Sequence, residues 1–348
     1  MKILFISLQG IHPFQIGGPP VVAYNLIKEF DRKDLEVDLV LGISKEHLCK
    51  SSELSKFLGL SDNINLIPLV INERSPASYE NRIDFEFLKD IVTLSRKSGD
   101  GIQLIHFHSI PATRDIMLPF LAWLRKIPTI YRNAGWITCE TFGTGDRRMY
   151  YQFFVYKLLN RFFTKVVCNS LYLKEKTMSE GIKGEKIEVI PNGVDTEKFN
   201  NAQRIDLRGD PKLLFVGRLV GLKGIDTLVR SMKMIVKELP DAVLHVVGDG
   251  PLMNQLGSFT VSSGLRENVV LHGPIVSDLP SFYKSADICV FPSNYEPFGI
   301  TIIEAMAAGK PLIAARRGGI PENITNHENG ILIEPTMMNL TKTIIGLW

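Results

Sequence analysis

Short runs of Val, Ile and Leu recur along the chain, separated by longer amphipathic stretches, and this alternation constrains the fold more than any other feature. Parallel strands buried on both faces read as continuous aliphatic runs, and each crossover between them needs a dozen or more residues, usually a helix. The N-terminal half supplies such runs at Ile3 to Leu8, Val37 to Leu41, Ile64 to Val70, Leu104 to Phe107, Pro128 to Tyr131 and Val166 to Asn169. The series restarts at Leu213 to Gly217, Val243 to Gly248, Val269 to Gly273, Ile288 to Pro292, Leu312 to Ala315 and Ile331 to Glu334. The pattern predicts an α/β chain with two Rossmann-like parallel-sheet domains facing each other across a cleft. Between the series, Ile190-Pro191-Asn192-Gly193-Val194-Asp195 and the polar stretch after it interrupt the apolar pattern. The expected division is therefore an N-terminal domain over 1–190, a linker over 191–210 and a C-terminal domain over 211–348.

With 348 residues, 45% of them hydrophobic and 22% charged, both domains can bury a core of their own, which excludes a disordered or fibrous chain. The 40 basic and 37 acidic residues leave a net charge of +3, too small a bias for a nucleic-acid partner. Cys49, Cys139, Cys168 and Cys289 lie far apart with no CxxC pair, so neither a zinc site nor a disulfide framework is expected, and a reducing, cytoplasmic setting follows. The apolar start from Met1 to Leu8 is too short for a signal-peptide core, and no run of eighteen apolar residues is present to span a membrane.

In open parallel sheets, ligands bind beyond the carboxyl ends of the strands, so polar residues just after strands are the candidates for chemistry. The loop after the first run has neither a GxGxxG fingerprint nor a Walker A sequence, which argues against a dehydrogenase or a P-loop enzyme. Gly17-Gly18 followed by Pro19-Pro20 instead opens a helix whose free amides suit an anion, although a Gly-Gly pair is equally an ordinary turn. Past the strand ending at Val216, Arg218 and Lys223 flank a glycine-rich turn, with Asp226 opening the next helix. Two cations and bare backbone suit a diphosphate; a solvated surface pair is the plain alternative. In Pro292 to Glu304, a helix is expected to start near Phe298 or Gly299, leaving Glu296 in the loop before it and Glu304 a turn and a half inside. Carboxylates there accept hydrogen bonds from sugar hydroxyls, and the amides near Gly299 receive phosphate oxygens. Taken singly, each glutamate also fits a helix-dipole or solvated role.

Together, Gly217-Arg218-Leu219 with Lys223-Gly224, Gly248-Asp249-Gly250-Pro251, and Glu296 through Glu304 resemble the donor-binding signature of the large retaining glycosyltransferase family 4, "glycosyl transferases group 1", whose fold is called GT-B. The stretches Ile190 to Asp195 and Gly318-Gly319-Ile320-Pro321-Glu322 resemble it too, so the likeness runs over nearly the whole chain. It implies a hexosyltransferase that takes a UDP- or GDP-linked sugar as donor substrate, needs no cofactor, and glycosylates a hydroxyl of a glycan, lipid or small molecule with retention. No DxD motif is present to hold a metal, in keeping with the family's usual independence of one. By the same resemblance Arg218 and Lys223 clamp the diphosphate, Glu304 binds the ribose, and Glu296 contacts the transferred sugar. Gly299 and Ile300 offer amides, Gly248 and the Gly17-Gly18 turn join the donor-binding set, and His272-Gly273-Pro274-Ile275 places Ile275 against the base. Ile105-His106-Phe107-His108 resembles the family's HxH, which makes His108 the catalytic candidate on the N-terminal side; His106, alternating with it, is expected on the opposite face.

Two departures stand out. The family's histidine at the strand end corresponding to Tyr131-Arg132-Asn133-Ala134-Gly135 is missing, and Leu340 to Trp348 reads as a helix barely begun, as in a truncated or naturally short member that leaves Leu347 and Trp348 without their usual cover. Basic and aromatic residues interleave over 147–165, which suits a peripheral helix on an anionic inner-membrane surface; packing of the aromatics on the N-terminal sheet is the plainer reading. A nucleotide-sugar epimerase of the same architecture and a catalytically silent sugar-nucleotide-binding homologue are the competing functions.

Overall fold

The first strand, β1 (Lys2–Ser7), is buried from Ile3 onward, and its alternate side chains feed two different cores. The computed structural model describes residues 1–7, 18–44, 55–56, 58–71, 101–108, 117–135, 158, 160–275 and 278–348. They form two compact units, Met1–Asn169 with Leu173–Ile190, and Ser170–Tyr172 with Pro191–Trp348.

In the first unit, β1, β2 (Glu36–Ser44), β3 (Ile64–Ile71), β4 (Leu104–Phe107), β5 (Thr129–Asn133), β6 (Lys165–Cys168) and β7 (Ile187–Val189) make a parallel sheet in the order β3-β2-β1-β4-β5-β6-β7. Ile3 and Phe5 pack with Ala23 and Ile27 of α1 (Gly18–Arg32). Leu4 and Ile6 point the other way, into a core shared with Leu118 of α2 (Met117–Leu124) and Leu173 of α3 (Leu171–Ser179). This period-two division of one strand between two helical layers is what makes the sheet doubly wound.

The second unit repeats the plan. Its strands β8 (Lys212–Val216), β9 (Val243–Val247), β10 (Val269–Gly273), β11 (Ile288–Phe291), β12 (Leu312–Ala315) and β13 (Ile331–Ile333) are parallel in the order β10-β9-β8-β11-β12-β13. Among the described residues its α-helices are, in chain order, α4 (Thr196–Asn200), α5 (Ile225–Glu238), α6 (Met253–Ser262), α7 (Leu279–Ser285), α8 (Ile300–Ala307), α9 (Ile320–Asn323) and α10 (Met337–Leu347). In α5 the buried Ile225, Leu228, Val229, Met232 and Ile235 recur at helical spacing, with Asp226 in the first turn and Lys237 in the last, each favourable to the helix dipole.

The expected pair of parallel sheets is present. Three details differ from the sequence reading. Edge strand β7 is too short to stand out as an apolar run, since Glu188 faces water between Ile187 and Val189. The polar stretch after Asp195 contains α4, because Asp195 caps it by accepting from the Lys198 amide at 3.1 Å and Phe199 anchors it in the core. The C-terminal segment forms the eleven-residue helix α10, started by Thr336 and packed on α5 through Leu340 and Ile344; Leu347 and Trp348 are exposed.

Cys168 and Cys289 are buried free thiols, pushed by burial up to about 11 and about 12. Both are expected to resist iodoacetamide in the native protein at pH 8 and to react once it is unfolded, as mass spectrometry of tryptic peptides reports; labelling of either one in the native state would contradict this burial.

Candidate functional site

In the second unit the strand order reverses between β8 and β11, whose crossovers run to opposite edges of the sheet, and the crevice at their carboxyl ends is the expected place for a ligand. Most of the residues singled out for donor binding lie around it. The chain leaves β8 through Gly217 and the exposed Arg218, then forms a 3-10 turn over Gly221–Lys223. Beyond β11, the loop from Pro292 carries Glu296 to α8. The two loops are tied together by backbone: the Leu222 carbonyl accepts from the Asn294 amide at 2.8 Å, and the Asn294 side-chain amide donates to the Gly221 carbonyl at 3.3 Å. That tie places the Lys223 ammonium against the Glu296 carboxylate, in an ion pair with both side chains largely buried. The two residues expected to bind different parts of a donor are thus each other's partners.

Close backbone contacts fix this geometry. Gly248, at the end of β9, has φ +138°, and a Cβ there would overlap the Gly217 carbonyl oxygen. Its N–H donates to the Gly273 carbonyl at 2.8 Å, so what Gly248 contributes is close approach rather than a free amide. Gly318, with φ +57°, lets the loop after β12 lie on the Glu296 carbonyl, which accepts from the Gly319 amide at 2.9 Å. Ile275, two residues past β10, is half-buried.

Gly299 is the N-cap of α8, in the left-handed region, and its carbonyl accepts from the Ile302 amide at 3.1 Å. The amides of Gly299 and Ile300 therefore belong to the helix turn whose dipole favours an anion. Glu304 sits one turn further in, only 8% exposed, and accepts from the Tyr283 hydroxyl at 2.8 Å. Burial pushes its carboxyl up to about 7, against the opposing effects of the Tyr283 hydrogen bond and the Lys198 charge. Neither Tyr283 nor Lys198 was legible as a site residue: one lies in an apolar-looking helix, the other in the linker.

The raised Glu304 value sets a stability prediction. The folded state holds this proton more tightly than the unfolded chain, so between about pH 4.5 and 7 stability falls as pH rises, then levels off. The contribution is on the order of 3 kcal/mol. Glu304→Gln is expected to remove that slope and to be the more stable form at pH 8, by urea unfolding at pH 5 and pH 8; parallel losses in both proteins would refute the assignment.

In the first unit, His108 follows β4, is buried, and its N–H donates to the Ile6 carbonyl at 2.9 Å. His106 does not face the opposite way. Residues two apart in a strand share a face, and the two imidazoles lie 5.8 Å apart at 20°, with Phe5 stacked 4.6 Å from His106 and 5.4 Å from His108. Burial, with the Arg132 charge second, pushes His106 down to about 3, so it is neutral at physiological pH. Asn133, on the other face of β5, donates to the Thr177 hydroxyl at 2.9 Å and accepts from the Gly135 amide at 2.9 Å, a structural role. Gly18 is the first residue of α1, while Gly17 lies outside the described residues. So does most of 147–165; within its described end, Phe163 packs against Phe107 and Tyr131 at 5.5 and 5.1 Å, and Phe162 lies edge-on to Phe120 at 5.3 Å.

The sequence profile of Glycosyltransferase Family 4 matches residues 16–198, and that of Glycosyl transferases group 1 matches residues 197–347. The chain belongs to glycosyltransferase family 4. An uncharacterized glycosyltransferase of Methanocaldococcus jannaschii is 39% identical over 184 residues, 49% of this chain and 47% of the relative. The GDP-mannose-dependent alpha-(1-6)-phosphatidylinositol monomannoside mannosyltransferase of Mycolicibacterium smegmatis is 30% identical over 193 residues, 51% of this chain and 50% of its own. The matched stretch thus spans about half the length of each of these two relatives. Among solved structures, Anabaena HepE in complex with UDP-glucose superposes with a TM-score of 0.73 at 21% identity, over 100% of this chain and 89% of that one, a likeness of fold. Family 4 membership carries the GT-B architecture, in agreement with the two parallel sheets. Among the described residues no cluster of His, Cys, Asp and Glu fit to hold a metal ion is found, and no helix is long and apolar enough to cross a membrane.

Proposed function

We propose that this family 4 chain transfers a sugar from a nucleotide-sugar donor to an acceptor hydroxyl with retention of anomeric configuration and without a metal ion. The observation that carries the reading is the Lys223–Glu296 pair, held beside the first turn of α8 at the β8/β11 switch point. A bound diphosphate takes over the Lys223 ammonium, with Arg218 alongside and the α8 amides as further donors. Glu296, released from Lys223, accepts from hydroxyls of the transferred sugar, and Glu304 accepts from the ribose. As the bond from the anomeric carbon to the diphosphate oxygen breaks, its electron pair goes to that oxygen. The acceptor oxygen bonds to the same face of the carbon, and its proton passes to the departing phosphate. Charge grows on the diphosphate along this path, so cations and amides already in place stabilise the transition state more than the ground state. Glu296 needs no nucleophilic role in such a step.

One relative is named as GDP-mannose-dependent and one solved neighbour holds UDP-glucose, so both donors belong in the test. Incubation with GDP-mannose or UDP-glucose and a mixture of acceptors is expected to release nucleoside diphosphate and yield a glycoside with the donor's anomeric configuration by proton NMR, at a rate unchanged by EDTA. An inverted product would overturn retention. Loss of the rate in EDTA would overturn metal independence. Failure of both nucleoside diphosphates to bind would overturn the whole reading.

A further inference from the structure

Among the described residues, the Lys223 ammonium and the Glu296 carboxylate are each other's single side-chain partner. The two side chains are 23% and 14% exposed, so each charge depends on the other for much of what water would otherwise supply. The backbones that carry them are fixed on both sides. The Leu222 carbonyl accepts from the Asn294 amide at 2.8 Å and the Tyr295 amide at 3.3 Å. The Lys223 amide donates to the Val220 carbonyl at 2.9 Å, and the Glu296 carbonyl accepts from the Gly319 amide at 2.9 Å. A change of partner therefore falls to the side chains, and any anion that draws Lys223 away leaves the Glu296 carboxylate where it is. A free nucleoside diphosphate doing so sets two negative groups side by side and brings no donor at the sugar position for the carboxylate. A nucleotide sugar brings the same phosphates together with hydroxyls that donate to it.

We infer that Glu296 is a built-in counter-anion that makes this site select a nucleotide sugar over the free nucleoside diphosphate, and so helps to expel the diphosphate once its sugar has been transferred. The empty site is satisfied because Lys223 pairs with Glu296. The donor complex is satisfied because the phosphates take the ammonium and the sugar hydroxyls take the carboxylate. Only the diphosphate complex holds a largely buried carboxylate with no partner, and a stranded charge of this kind is how a site discriminates against one ligand without adding contacts to the other. As the diphosphate leaves, Lys223 returns to Glu296.

This role rests on the proposed transferase reading, and the test separates the two. The full chain is titrated calorimetrically with UDP, GDP, UDP-glucose and GDP-mannose, as the parent and as Glu296→Gln, which keeps the shape of the side chain and removes its charge. The variant is expected to bind the nucleoside diphosphate that the parent prefers about tenfold tighter, the size of one charge-assisted bond. The matching nucleotide sugar is expected to bind with unchanged or weaker affinity, because an amide oxygen accepts less strongly from sugar hydroxyls than a carboxylate does. Should Glu296→Gln fail to fold, the parent carries the test: excess free glucose or mannose, offering hydroxyls to the stranded carboxylate, is expected to tighten the diphosphate several-fold by linkage. A variant that binds the diphosphate no tighter than the parent, a variant that tightens diphosphate and nucleotide sugar alike, or, in the parent test, a diphosphate affinity indifferent to free sugar would overturn the inference and leave Glu296 holding Lys223 in place. Absence of nucleotide binding by the parent would overturn the transferase reading instead.

Discussion

Lys223→Ala is expected to lower kcat/KM for sugar transfer by a factor of about 10² to 10³, the usual cost of removing one preorganised group that stabilises developing negative charge. The loss should fall on kcat more than on KM, because the charge on the diphosphate oxygen is greatest in the transition state. Lys223 also has a partner in the absence of donor, and that pair must be separated from its catalytic role. In Lys223→Ala the Glu296 carboxylate stays largely buried with no ammonium beside it, so some destabilisation accompanies the rate loss. The double variant Lys223→Ala/Glu296→Gln removes the stranded charge and should regain thermal stability without regaining rate. Initial rates of nucleoside diphosphate release and melting curves for the two proteins decide the matter. A single variant within about threefold of the parent, or a double variant that recovers activity with stability, would leave Lys223 with a structural role alone.

How much of this was visible in the sequence follows from the range over which each signal acts. The strands were legible because a strand buried on both faces must be apolar throughout: Leu312 to Ala315 is bounded as the apolar run predicts. β7 was not, since an edge strand of three residues needs no such run. The loops holding Arg218, Lys223 and Glu296 were legible as glycine-rich or acidic segments after strands, but the ion pair joining two of them was not, because 73 residues separate Lys223 from Glu296 and their meeting depends on the sheet order. The Tyr283 bond to Glu304 was hidden for the same reason, with an added one: a tyrosine in Leu279–Ser285 reads as core, and its ring is indeed core while its hydroxyl serves the carboxyl. On the first unit the error over His106 came from misapplied alternation. Correctly applied, the period of two gathers Ser7, His106, His108 and Arg132 onto one face from the sequence alone, once β1, β4 and β5 are known to be neighbours.

Gly248→Ala is expected to destabilise the second unit by about 2 to 4 kcal/mol, among the larger effects available to a single methyl group. Two costs add. The backbone at φ +138° is one that a residue with a side chain rarely adopts, and the new Cβ would overlap the Gly217 carbonyl oxygen, which is backbone and cannot rotate away. Nor can the chain at Gly217 retreat freely, because its N–H donates to the Val247 carbonyl at 3.0 Å while the Gly248 N–H donates to Gly273 at 2.8 Å. Relief therefore has to move the turn that carries Arg218 and Lys223, and nucleoside diphosphate affinity should fall together with stability. Gly221→Ala supplies the matched control in the same loop: a Cβ there meets nothing within 4 Å and the backbone is not left-handed, so its effect should stay within about 0.5 kcal/mol. Urea unfolding followed by circular dichroism, with calorimetric titration of UDP and GDP, measures both quantities. If the two alanine variants unfold alike, the β8 and β9 loops are not locked by this contact, and the positions of Arg218 and Lys223 are set by the loop after β11 instead.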